Sequence, residues 1–162
     1  MFNRYPQKYY IGSGIGQSTY RLVAFDEALR NCGNRPGGIG NFNLLKVSSI
    51  LPKHAIGVDD IDIPQGSPLL TAYGSITSNT PGDRIASAVG VAIPENPNNI
   101  GVIMEFSGHC SEAEARETIF KMCHEAMSNR SMSYKEILIS ANDAIVENNE
   151  TYVALISAIC FW

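Results

Sequence analysis

The sequence predicts a layered α+β domain, and three observations carry that reading. Segments that alternate or are rich in β-branched residues run through most of the chain. Stretches of helical spacing interrupt them at only two places, and those interruptions do not alternate with strands as a βαβ series would. With 162 residues, 44% of them hydrophobic, the chain can bury one sizeable core, so residues 1–162 are expected to form a single domain.

In chain order, strands are expected near 8–12, 42–48, 69–78, 86–93, 100–107, 136–145 and 151–161. GSGIGQS at 12–18 reads as a turn, because it lacks the Lys-Ser/Thr of a phosphate-cradling loop and the glycine spacing of a dinucleotide site. The first helix is expected near 22–31, around AFDEALRN, with Asp26 at its beginning, where a carboxylate complements the helix N-terminus. It runs into the glycine-rich CGNRPGGIGN. In the second helix, Ser111 and Glu114 form a capping box, after which Ala115, Ile119, Met122 and Ala126 recur at helical spacing. NNE at 148–150 reads as the tip of a hairpin between the last two strands. The final segment, TYVALISAICFW, is so apolar that it must be buried on both faces or face another subunit.

Composition narrows the function classes. The net charge is −4 and the 12 Lys and Arg are dispersed, which argues against a nucleic-acid surface. No stretch approaches the ~18–20 apolar residues of a membrane span. MFNRYPQKYY has no apolar segment of a secretory signal, so a cytoplasmic protein with free thiols is expected. His109-Cys110 and Cys123-His124 match no closed zinc pattern, and no metal is expected.

Two features invite chemistry. LLKVSSILPKHA, residues 44–55, interrupts an apolar run with adjacent serines, Ser48 and Ser49. A serine pair serves an ordinary turn by bonding local backbone, or supplies a hydroxyl that attacks its own chain. In GVIMEFSG, alternation puts Ile103 and Glu105 on one face and Val102, Met104 and Phe106 on the other. Glu105 is a solvent-facing strand residue if its face is wet, and a proton donor near neutral pH if that face is dry.

Four stretches together resemble the pyruvoyl-dependent arginine decarboxylases: AFDEALRN, GIGNFNLLKVSSILP, LLTAYGSITSNTPGDRIASAVGVAIP and GVIMEFSGHCSEAEA, in order from about residue 20 to the C-terminus. The resemblance implies a layered αββα sandwich that assembles as a trimer or a dimer of trimers, with active sites between subunits. It implies self-cleavage between Ser48 and Ser49 into chains 1–48 and 49–162. The Ser49 hydroxyl would attack the Ser48 carbonyl to give an ester, and β-elimination would release the Ser48 carboxylate and leave a dehydroalanine. Its hydrolysis by water with loss of ammonia would leave a pyruvoyl group at position 49.

The activity so implied is conversion of L-arginine to agmatine and CO2 through a Schiff base. Glu105 would be the proton donor, Asn43 would assist processing, and Asp26 and Leu29 would bind substrate. Two other readings stay open: the same chemistry on a different amino acid, and an unprocessed, non-catalytic homologue. Two departures from the family pattern, the CGNRPGG loop and Glu27 in place of a small residue, lie beside the implied substrate pocket.

Overall fold

The structure, a computed structural model, describes residues 6–48 and 50–162. Its elements are β1 (Lys8–Ser18), α1 (Arg21–Arg30), β2 (Asn43–Lys46), β3 (Ile50–Leu51), β4 (Ile56–Gly57), β5 (Pro68–Ser78), β6 (Arg84–Pro94), β7 (Gly101–Gly108), α2 (Glu112–Asn129), β8 (Tyr134–Ile145) and β9 (Tyr152–Phe161). They form two mixed or antiparallel sheets, ordered β2-β5-β9-β1-β4 and β3-β7-β6-β8. The sheets stack on a core that includes Ala72, Val89, Val91, Ile103 and Ile159. Helix α1 covers the outer face of the first sheet and α2 that of the second. The expected αββα layering is therefore present.

The glycines of 12–18 do not make a turn. β1 continues through them, paired with β9 from Tyr9↔Phe161 to Ser18↔Tyr152. Gly12, Gly14 and Gly16 alternate, so from 12 to 16 one face of the strand carries no side chains. A Cβ on Gly14 would stand 2.1 Å from the Ala28 carbonyl oxygen, and one on Gly16 2.2 Å from that of Ala24. The glycines exist to let α1 lie directly on the strand backbone, with Ala24 and Ala28 fully buried.

Helix α2 seats differently. Its capping box is present, with the Ser111 hydroxyl accepting from the Glu114 N–H and the Glu114 side chain accepting from the Ser111 N–H. It buries Ala115, Ile119, Cys123, Ala126 and Met127 against β6 and β7. Ile119 fills the space over Gly90, where a Cβ would meet its Cγ2 at 2.2 Å.

One further expectation is corrected, and one with two alternatives is resolved. Residues 148–150 are not a hairpin tip, because β8 pairs with β6 in one sheet while β9 pairs with β1 and β5 in the other. The Asn148 side chain instead accepts the Glu150 and Thr151 N–H groups at 2.9 and 3.2 Å, turning the chain from one sheet to the other. The apolar β9 is central in its sheet, covered by α1 on one face and by the second sheet on the other, so its own fold accounts for its composition.

A polar seam crosses the sandwich. Ser157 on β9 bonds Ser87 on β6 at 2.8 Å and Ser13 on β1 at 2.7 Å; Ser13 also reaches Ser140 on β8 at 2.7 Å. Asn142 donates to the Gly14 carbonyl at 2.9 Å. Every member has a partner, so the seam pins one sheet over the other without an unsatisfied polar group.

Candidate active site

The chain changes sheets between Val47 and Ile50. β2 runs parallel to β5, from Asn43↔Pro68 to Lys46↔Thr71, and the Val47 N–H makes a last bond to the Thr71 carbonyl at 3.1 Å. The next rungs belong to the other sheet, Ile50↔Val102 and Leu51↔Gly101. Pro52 follows, with no N–H to continue the ladder, and pairing stops there. Ser48 is exposed. Ser49 lies outside the described residues. Among the described residues the left-handed non-glycine positions are His54 and Ser131, so backbone strain of that kind is not seen at Ser48.

Glu105 stands close to this crossing. Its register partner is Val89, and with Ile103 it shares the face of β7 that looks toward the first sheet. The alternation read from the sequence holds, since Val102, Met104 and Phe106 pack on the α2 side. The carboxylate is neither fully wet nor fully dry, at 36% exposed, and pairs with the Lys46 ammonium at 3.3 Å. That ammonium sits 4.5 Å above the Tyr73 ring, and Tyr73 meets Phe25 of α1 with ring centroids 6.4 Å apart. Gly74, next along β5, lets the two sheets approach, because a Cβ there would be 2.7 Å from the Phe106 carbonyl. Sequence reasoning missed Lys46 and Tyr73. Their signals were a cation two residues before the serine pair and the TAYG stretch.

The other anticipated residues lie farther off. Asn43 opens β2 and its amide donates to the Gly66 carbonyl at 2.7 Å. Five residues of extended chain, about 16 Å, separate it from Ser48. Asp26 is not at the start of α1. The helix begins at Arg21, has no acidic residue in its first turn and no side-chain cap, so Asp26 is mid-helix. Its carboxylate is exposed and pairs with Arg30 one turn on, at 3.7 Å. Leu29 is partly buried against the core beneath α1.

The two departures in the sequence have structural roles. Glu27 accepts from the Gln17 N–H at 3.4 Å, bracing α1 on β1. In the CGNRPGG loop, Arg35 donates to Asp60 at 2.8 Å and to the Gly38 carbonyl at 2.6 Å, and lies over the Phe42 ring. The Arg35 hydrogen bond holds the Asp60 carboxyl below its usual range.

The remaining reactive groups are placed elsewhere. Burial pushes the Cys123 thiol up to about 11 and the Cys160 thiol up to about 12, and raises that of Cys32 as well; such thiols stay protonated. His109 faces Asp83 at 3.6 Å and His124 bonds the Tyr134 hydroxyl at 2.9 Å. Among the described residues no three His, Cys, Asp or Glu side chains gather as a metal site. No helix is long and apolar enough to cross a membrane.

The site is thus an exposed serine at a sheet-to-sheet crossing, with a half-buried carboxylate and an ammonium close by. The family described as pyruvoyl-dependent arginine decarboxylase (PvlArgDC) matches residues 8–162. Curated relatives of that same name include one from Thermococcus kodakarensis, 36% identical over 88% of this chain and 88% of its own. Another, from Pyrococcus abyssi, is 37% identical over 93% and 94%, and one from Methanocaldococcus jannaschii is 37% identical over 88% and 83%. Among solved structures, a pyruvoyl-dependent histidine decarboxylase at pH 8 aligns with 83% of this chain at a TM-score of 0.47 and 13% identity. This chain spans 58% of that one.

Proposed function

The chain belongs to the pyruvoyl-dependent arginine decarboxylase family, and from that premise we propose that it cleaves itself between Ser48 and Ser49 and then decarboxylates L-arginine to agmatine. The observation that carries the reading is the position of the pair between β2 and β3, each anchored in a different sheet. A break there leaves both new ends held by their own strands. The 1–48 segment stays attached through the β1–β9 pairing.

An alcohol attacks an amide only when held in line with it, and anchors on both sides supply that restraint. Asn43 assists by fixing the onset of β2 against the loop before β5, which sets where the serine pair stands. A ketone at residue 49 supplies an acceptor for the substrate α-amine and a sink for the electron pair left as CO2 departs. Glu105 delivers a proton to the substrate α-carbon, its half-exposed position letting it recover that proton from water. Asp26 receives the guanidinium as a charge-assisted, two-pronged partner in place of Arg30, and Leu29 borders the same helix face.

Self-association as a trimer or a dimer of trimers fits the exposed apolar residues around the crossing. Leu45 is 43% and Ile50 38% exposed, and Leu22 on α1 is 77% exposed. A cytoplasmic setting fits the free cysteines.

Intact mass under denaturing conditions tests processing. The protein should give fragments 1–48 and 49–162, and Ser49→Ala a single chain. Efficient cleavage of that variant would refute attack by the Ser49 hydroxyl. In an amino-acid panel arginine should be preferred over lysine and ornithine, and Asp26→Asn should lower kcat/KM for arginine roughly 10–100-fold, the weight of a hydrogen bond to a charged group. Turnover of an uncharged or acidic amino acid, with Asp26→Asn silent, would keep the chemistry and reject arginine.

A further inference from the structure

The functional reading leaves Lys46 without a task, although its ammonium is the one charged partner of Glu105 among the described residues. A glutamate has three rotatable bonds, and at 36% exposure neighbouring side chains do not lock them. A proton donor must nevertheless stand within hydrogen-bond reach of its target, and an error of about 1 Å can cost ~10²-fold in rate. Something must hold the carboxyl.

We infer that Lys46 is the positioning residue of Glu105. The lysine is itself held. Its backbone is in register with Thr71, the next N–H bonds the Thr71 carbonyl at 3.1 Å, and its ammonium rests 4.5 Å over the Tyr73 ring. Phe25 of α1 backs that ring. The restraint therefore passes from α1 through Tyr73 and Lys46 to a carboxylate on the opposite sheet. It also spans the crossing: Lys46 is the last residue of β2, and Ile50, in register with Val102, opens the strand paired with β7. The cation thus ties the proton donor to the strand that delivers the serine pair.

The inference rests on Glu105 being the proton donor, and the test separates the two. Lys46→Met keeps the aliphatic stem and removes the charge; Lys46→Arg keeps both charge and ring contact. Both should still cleave, giving two fragments by intact mass. Lys46→Met should lower kcat roughly 10–100-fold with KM for arginine within about threefold, and Lys46→Arg should recover to within about fivefold of the parent. In a Glu105→Gln background the further loss from Lys46→Met should be at most about twofold, because the group it acts through is already gone.

A loss carried by KM would mean that Lys46 binds substrate instead. Fully additive losses would mean that it acts independently of Glu105. Either result overturns the inference. Crystals of the uncleavable Ser49→Ala precursor give a readout free of activity: adding Lys46→Met should release the Glu105 carboxylate from its place beside β2. An unmoved carboxylate would also overturn it. An inactive parent would count against the proposed decarboxylation, while the precursor crystals would still decide the role of Lys46.

Discussion

The two helices cover equivalent faces of the sandwich but are held there by opposite means. α2 carries its own start signal and grips its sheet with side chains, Ile119 seated over Gly90. α1 has no side-chain cap and buries little beyond Ala24 and Ala28. It is placed by the bare face of β1, whose glycines admit its carbonyls at van der Waals distance. A helix held by side chains tolerates small shifts at the cost of packing. A helix lying on backbone has no such give, so its position is fixed by its neighbour. The second arrangement belongs to the helix that bears Asp26 and backs Tyr73, and the first to the helix that serves as scaffold.

The difference can be broken from either side. The largest loss of stability is expected from Ile119→Ala, which empties the socket over Gly90. Chemical denaturation should show about 2–5 kcal/mol lost, as for other buried large-to-small changes. Arginine turnover by the folded fraction should stay within a few-fold, and a large rise in KM would make α2 more than a scaffold.

Gly14→Ala should cost less, about 1–3 kcal/mol by overpacking. Because the added methyl would meet the Ala28 carbonyl, α1 must move and KM for arginine should rise. A variant that loses stability with an unchanged KM would uncouple the helix position from substrate binding.

The smallest effect sharpens the comparison at the loop after α1. The Arg35 hydrogen bond lowers the Asp60 carboxyl from its ordinary value of 3.8, so the folded state favours the ionised form. The resulting stability is fully present above that ordinary value and is lost as pH falls through the lower folded midpoint. Asp60 is exposed, so the contribution is small. Asp60→Asn should lower the melting temperature slightly at pH 7, and the difference from the parent should vanish as pH falls well below about 4, leaving a slightly flatter acid limb.

The same contrast explains what could be read in the sequence. The capping box and the long strands are local signals and appear in the structure where they were expected; the periodic face of α2 does so too, except that Cys123 rather than Met122 is its buried member. The αββα layers were legible through the four family-like stretches, which also directed attention to Ser48-Ser49 and Glu105 as candidates. GSGIGQS was not, because glycine signals a turn locally while its period of two signals a strand only once α1 lies upon it. Asp26 was misplaced because an uncapped helix gives no starting mark. The hairpin expected at 148–150 failed because adjacency in sequence does not say whether consecutive strands share a sheet. Lys46 and Glu105 come together only when the two sheets stack, a contact that no periodicity encodes.

The change of sheets between β2 and β3 also bears on refolding. A molecule cut at that point is a complementation complex, with β1 of the shorter piece lying between β9 and β4 of the longer one. Folding of such a cut molecule from denaturant would be a second-order reaction of two polypeptides, and its apparent stability would depend on concentration. An uncut chain would close the same sheet within one polypeptide, so the proposed scission would turn an intramolecular fold into an association that dilution can undo.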